Sequence, residues 1–371
     1  MDGSKSFLNR RAMLATAAAA GLIALLPLTA QAAALTGVDA LDTPSILVKS
    51  PASVLLVAIT RAGNRLVAVG EHGVIIYSDD DGVSWTQGQV PVNVTLTCVA
   101  FATPQLGWAA GHFGAILVTA DGGKTWTMQL NGLQANQLTL QAAQDPSVAS
   151  STCPCAPLAV ARAAHFMDEG PDKPFLSMLV LSPQHVMVFG AYRMTMVTTD
   201  GGKTWADWSL HIYDKYSHNI YGAAVIGADY YLCGEQGLVF CSTDAGNTFL
   251  PLAPTTSVTL FGILGARDGS LVVFGVAGAC LRSTDGGKSW TTIALASQDD
   301  ITSGRVLRSG TVVLITEAGA LFKSTDNGAT FTAVPGVTTL PFFDIEEAAG
   351  DELIIVGGAG VTRLSEKILN S

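Results

Sequence analysis

Charge is scarce in this chain, and positive charge scarcer still. Charged residues make up 13% of 371, with 20 Lys+Arg against 30 Asp+Glu and a formal net charge of −10. Helical bundles and coiled coils need abundant Glu, Lys and Arg on their wet faces, so the shortage argues against both. The acidic balance argues against a nucleic-acid binder, because phosphates require a basic face. Low charge with 49% hydrophobic residues also argues against disorder. What the chain does have is glycine, 39 residues of it, together with many Thr and Val. That mixture suits a β protein with many tight turns.

The longest apolar run lies near the N-terminus and falls short of the about 20 residues a membrane span needs. Residues 1–32 therefore read as a signal peptide. Lys5, Arg10 and Arg11 form a basic start, an apolar stretch follows, and Ala30-Gln31-Ala32 is a small-x-small cleavage site. Asn9-Arg10-Arg11-Ala12-Met13-Leu14 resembles a twin-arginine export signal, although it lacks the usual Ser before the pair and Phe after it. General secretion stays open. No Cys follows the cleavage site, so a lipoprotein is not indicated. The expected location is the periplasm. Residues 33–371 then form a single folded domain.

Repeats give the fold class. Seven segments carry a Gly-x-x-Gly hairpin or a variant of it, beginning near Gly70, Gly111, Gly190, Gly234, Gly275, Thr316 and Gly357. The third lacks the second glycine and the sixth lacks the first. Six of the seven run into Ser/Thr-x-Asp-x-Gly-x-Ser/Thr-Trp/Phe, with aspartates Asp80, Asp121, Asp200, Asp244, Asp285 and Asp326 spaced 41, 79, 44, 41 and 41 residues apart. The closing aromatics are Trp85, Trp126, Trp205, Phe249, Trp290 and Phe331. A strand-type repeat near 41 residues marks propeller blades of four strands each. The second motif is the Asp-box, a turn whose Asp and Ser/Thr side chains bond nearby amides. Six equivalent sites around a ring cannot converge on one substrate, so these aspartates read as structural. The expected fold is all-β, a seven-bladed β-propeller.

The double step of 79 holds about 38 extra residues. Residues 131–175 show no hairpin. Residues 133–144 and 158–167 read as two short helices, a helical-hairpin insertion in blade three that projects from one face and is dispensable for folding. The last repeat has no Asp-box, so residues 35–48 are expected to supply its fourth strand and close the ring.

Asp-box repeats occur in sialidases, in some xyloglucan-active glycosidases and in the photosystem II stability and assembly factor family. This chain resembles the last of these, in its bacterial branch outside photosynthetic organisms. The resemblance rests on the run Val38-Asp39-Ala40-Leu41-Asp42-Thr43-Pro44, on the first hairpin at Gly70–Gly73 with Ser78-Asp79-Asp80-Asp81-Gly82 behind it, and on residues 168–174 followed later by Asp200-Gly201-Gly202-Lys203-Thr204-Trp205. It covers about residues 36–364. It implies a non-enzymatic propeller, monomeric and without cofactor or metal, that holds a membrane or envelope protein complex as a scaffold during assembly. The family's basic patch is not carried over, because the arginines here are scattered over many blades.

The alternative is a glycan-binding or glycoside-hydrolysing propeller. Sialidase chemistry needs three convergent arginines, and only Arg305 is expected to face the tunnel. A carboxylate pair for glycoside hydrolysis needs about 5–10 Å separation. The acidic cluster of interest is Asp344, Glu346 and Glu347, with Asp299 and Asp300. The least repeat-like polar stretch is residues 208–221. Its Trp208, His211, Tyr213, Tyr216, His218, Asn219 and Tyr221 suit a partner-binding surface as well as they suit a loop packed on its own blade. Zinc at His211 and His218 lacks a third ligand. Of six cysteines, Cys98, Cys233, Cys241 and Cys280 read as buried free thiols. Cys153 and Cys155 remain open between a disulfide, a soft-metal chelate, a link to a partner and an inert exposed pair.

Overall fold

The computed structural model describes residues 37–252, 256–337, 340–349 and 352–370. The expected signal peptide lies outside the described residues. The described residues form seven antiparallel sheets, each with its strands in chain order. Six have four strands, as in Leu56–Ala62, Arg65–Gly70, Ile75–Ser78 and Thr86–Gln87. The first strand of each sheet packs against the first strand of the next, and the seventh packs against the first, so the ring is closed. Seven apolar clusters fill the gaps between successive sheets.

This packing explains the sequence pattern. The second strand of each sheet is covered on both faces by its neighbours, so it reads as an unbroken apolar run such as Val312-Val313-Leu314-Ile315. Two-sided burial removes the usual alternation. The hairpin after it turns through left-handed backbone at its third and fourth residues, as at His72 (φ 55°) and Gly73 (φ 71°). A Cβ on Gly73 would sit 2.0 Å from the Val92 carbonyl oxygen, which makes glycine obligatory there.

The six aspartate turns are self-contained hydrogen-bond units. Asp80 Oδ1 accepts from the Ser84 amide at 2.8 Å and from Ser78 Oγ at 2.8 Å, and its Oδ2 accepts from Ser84 Oγ at 2.5 Å. The same amide bond recurs at Asp121, Asp200, Asp244, Asp285 and Asp326. Trp126, Trp205 and Phe249 are buried, whereas Trp85, Trp290 and Phe331 are half-buried. The hydroxyl and amide donors of Ser84, Thr204 and Ser289 bring Asp80, Asp200 and Asp285 down to about 2. Asp326, despite the upward pull of burial, is also brought to about 2 by Thr330 and Ser324. The unfolded chain binds these protons near pH 4. The turns therefore contribute stability that is complete above about pH 4 and is lost as pH falls towards 2. Burial pushes Asp344 and Glu346 the other way, against the pull of Arg305. Protonating those two on mild acidification relieves a cost. Denaturant melts should thus show little loss from pH 7 to 4.5 and a steep loss from 4 to 2.5. A steep loss already complete by pH 5 would refute the assignment.

Two expectations are corrected. The seventh sheet has three strands, Phe342–Glu347, Glu352–Gly357 and Gly360–Ser365, and residues 37–48 add no fourth. That segment carries only a helical turn, Asp39–Asp42, and packs beside residues 87–93: Ser45 N donates to Val90 O at 3.0 Å and Asn93 N to Ala40 O at 2.8 Å. Pro44 removes a donor that a strand there would need. The ring is closed by the packing of the seventh sheet on the first and their shared apolar cluster, and polar clamps tie the seventh sheet to both neighbours. Asp344 Oδ2 accepts from the Ile59 amide at 2.9 Å and its Oδ1 from Ser303 Oγ at 2.7 Å. Arg305 pairs with Glu346 at 2.9 Å, and Arg308 with Glu347 at 3.0 Å.

The second correction concerns the insertion. Its helices, Gly132–Ala143 and Ala159–Glu169, lie between the last strand of the second sheet and the first of the third, rather than within blade three. They do not stand alone on one face. Phe166 (2% exposed) and Ala135 belong to the cluster that joins these two sheets. Asn131 and Gln134 cap the first helix reciprocally, at 3.0 and 3.1 Å. Thr139 Oγ1 donates to Asp207 Oδ2 at 2.8 Å. Leu158, Val160 and Met167 remain exposed.

Candidate interaction face and axial channel

The 208–221 stretch does not act as one surface. Trp208 stacks on His211 at 3.7 Å and donates from Nε1 to Gly246 O at 2.8 Å, while His211 Nδ1 lies 2.6 Å from Asn247 O. Both rings therefore pack on the fourth sheet's aspartate turn. His218 Nδ1 sits 3.0 Å from the buried Asp214 carboxylate. The two histidines thus point to different partners and do not form a metal pair. Tyr213 OH meets Thr152 Oγ1 of the insertion at 2.6 Å. Asn219 joins Glu235 and the Tyr192 amide. Tyr221 leaves the face altogether and lines the axial channel, edge-on to Phe261 at 5.5 Å.

The feature that sequence reasoning undervalued is the third hairpin. Where other repeats carry a second glycine, this one has Arg193, held at φ 63° and 1% exposed. Its guanidinium donates to Asp214 O and so ties down the 214–218 turn. Burial, with Arg162 nearby, brings Arg193 down to about 9, which leaves it charged at neutral pH. Arg162 donates to Tyr192 O at 3.3 Å. Two tyrosines flanking this contact are exposed, Tyr192 (51%) and Tyr216 (73%), and Tyr192 meets the insertion's Phe166 at 5.9 Å. The missing glycine was the signal for this site.

Cys153 and Cys155 form a disulfide, and both are buried rather than exposed, with Cys153 Sγ 3.7 Å from Ile212 O. Cys98, Cys233, Cys241 and Cys280 are free thiols, and burial pushes Cys98, Cys233 and Cys280 up to about 12. Such thiols are inert nucleophiles at neutral pH. Arg305 was expected to face the tunnel, but its Nε donates to Ile345 O at 2.7 Å and it is not among the channel-lining residues. Asp344 does line the channel.

No family model matches the chain. The curated protein "Photosystem II assembly lipoprotein Ycf48" of Synechococcus sp. (strain CC9902) is 33% identical over 70 residues, 19% of this chain and 21% of that protein. The match thus spans about a fifth of that relative's length. The solved structure "YCF48 bound to D1 peptide" superposes with a TM-score of 0.62 at 18% identity, over 87% of this chain and 99% of that one. The chain is a β-propeller resembling the photosystem II assembly factors. The WD40 β-propeller domain of Doa1 (TM-score 0.59, 10% identity, 87% of this chain and 95% of that one) shares the fold. So does a GH74 xyloglucanase from Xanthomonas campestris (0.59, 13%, covering 84% of this chain and 52% of that one). At such identities all three structures speak to fold alone.

Proposed function

We propose that this chain is a non-enzymatic, exported propeller that holds a membrane or envelope protein complex during its assembly or upkeep. In this reading the seven sheets are its blades, the aspartate turns are Asp-boxes, residues 1–32 direct export to the periplasm, and one copy acts alone. The observation that carries the reading is the exposed Tyr192–Tyr216 face, built where the repeat is broken and braced from beneath by the buried Arg193. Rigidly mounted amphipathic aromatics are what protein-binding hot spots are made of. The structural likeness to a propeller solved with a D1 peptide supports a membrane-protein partner of some kind. The inner-strand carboxylates support the absence of hydrolysis, since Asp344, Glu346 and Glu347 hold neighbouring sheets together.

The test is capture from envelope extract with wild type and with Tyr192→Ala/Tyr216→Ala. The wild type should enrich a membrane-complex subunit, and the double variant should lose at least about tenfold of it, as for two hot-spot aromatics. Equal capture by both proteins would refute the assignment. Purified protein should turn over neither sialosides nor β-glucans. Turnover abolished by Glu346→Gln would return the glycosidase reading.

A further inference from the structure

A cavity of about 320 Å³ opens between the third and fourth sheets, at the low end of the range for small-molecule pockets, roughly 300–1,000 Å³. The sequence explains why this gap is open. Trp108 pairs with Val118 in the second sheet and Met187 with Val197 in the third, so Met187 stands where Trp108 does. Thr127 and Ala206 pair with the same two valines, which makes Trp208 the counterpart of Gln129. Between the second and third sheets, Trp108 Nε1 donates to Gln129 Oε1 at 3.0 Å, and Gln129 Nε2 donates to Gly201 O at 3.0 Å. Those two side chains fill that gap. Between the third and fourth sheets the thinner Met187 leaves room, and Trp208 forms one wall of it.

Trp208 is a fixed platform, held by its bond to Gly246 O and by its stack on His211, whose ring lies 3° from parallel. His211 lines a different hollow and Trp208 lines this one, so the indole face away from His211 turns to the cavity. The rim is polar and reaches solvent, with Thr199 and Asn247 exposed and His185 half-buried. Asn247 Nδ2 donates to Asp244 O at 2.6 Å, which fixes the amide and leaves its oxygen unbonded. Thr199 Oγ1 and the His185 ring likewise have no partner among the described residues. Burial lowers His185 from its ordinary value, so it is neutral at pH 7, and the wall holds no other ionisable side chain. An open indole face beside uncharged hydroxyl, amide and imidazole groups matches a neutral sugar ring. The C–H face of such a ring stacks on an aromatic, and its hydroxyls both donate and accept. Asp200 and Asp244, next in sequence to Thr199 and Ala245 of the wall, disfavour an anionic sugar. The wall has no carboxylate pair, so it offers binding without hydrolysis.

We propose that this cavity binds one neutral hexopyranose ring, stacked on Trp208 and bonded at the rim by Asn247, Thr199 and His185. The site is independent of the Tyr192–Tyr216 face and of the partner proposed for it. Calorimetry on the full chain with the methyl glycosides of glucose, galactose and mannose tests it. At least one should bind, and the uronic-acid counterpart of that sugar should bind about tenfold more weakly. A tetrasaccharide that binds tighter than the methyl glycoside points to the end of a glycan chain, and equal binding points to a free sugar. Trp208→Ala should weaken binding about tenfold through loss of the stacking platform. Met187→Trp, which restores the bulk that Trp108 supplies one gap earlier, should abolish it. If those variants fail to fold, Asn247→Ala at the exposed rim serves in their place and should weaken binding about fivefold. No binding of any of the three sugars, equal binding of the uronic acid, affinity untouched by Trp208→Ala, or affinity untouched by Asn247→Ala would each overturn the proposal.

Discussion

Replacing residues 133–167 with a short Gly/Ser linker should destabilise the protein severely. The insertion is part of the core. Phe166 is 2% exposed, lies beside Lys173 and Tyr192, and completes the cluster with Trp108, Leu130 and Phe175. Phe166→Ala alone should cost about 3–5 kcal/mol, the usual range for a buried Phe. The deletion also removes Ala135, the Asn136 bonds to Phe166 O and Gly170 O, and the Thr139–Asp207 bond. Its loss should exceed that of the single variant, to the point of unfolding at room temperature. A deletion variant that melts in denaturant with the wild-type midpoint would show that the helices are an appendage.

Trp126→Ala should also cost about 3–5 kcal/mol. Trp126 is 4% exposed, meets Phe101 edge-on at 6.2 Å, and donates from Nε1 to Gly123 O at 3.0 Å inside its own turn. It therefore locks the turn and fills the gap between the first two sheets. The half-buried Trp85 makes the same bond to Gly82 O at 3.1 Å, and Trp85→Ala should cost less, about 1–2 kcal/mol. Equal losses at the two positions would mean that the turn bond, rather than burial, sets the energy.

Repetition made most of this fold legible. The period of the aspartate turns marks the third and fourth strands of six sheets, and apolar runs such as Leu66-Val67-Ala68-Val69 mark the buried second strand. Where the repeat stops, periodicity carries no information. Residues 133–144 and 158–167 were readable as helices to within two residues, yet their pattern does not say which surface covers Phe166. The absence of a fourth strand in the seventh sheet was equally illegible, because the ring closes through ordinary repeat residues such as Leu56, Ile354 and Val356, and Asp344, which bonds the Ile59 amide, looks like an ordinary rim acid. In the 208–221 loop, residue types marked the aromatics but not their directions. Trp208 faces the fourth sheet, Tyr221 the channel, and only Tyr216 stands free in solvent. Arg193 was visible as a missing glycine, and its role follows from burial that no single sequence displays.

The central claim is that this propeller serves a membrane or envelope complex through its aromatic face. The most direct measurement is native-gel quantification of envelope complexes in a strain lacking the gene, complemented with wild type or with Tyr192→Ala/Tyr216→Ala. One complex should fall in abundance, recover with the wild type, and stay low with the double variant although that protein accumulates normally. Unchanged complexes in the deletion strain, or full recovery with the double variant, would contradict the account.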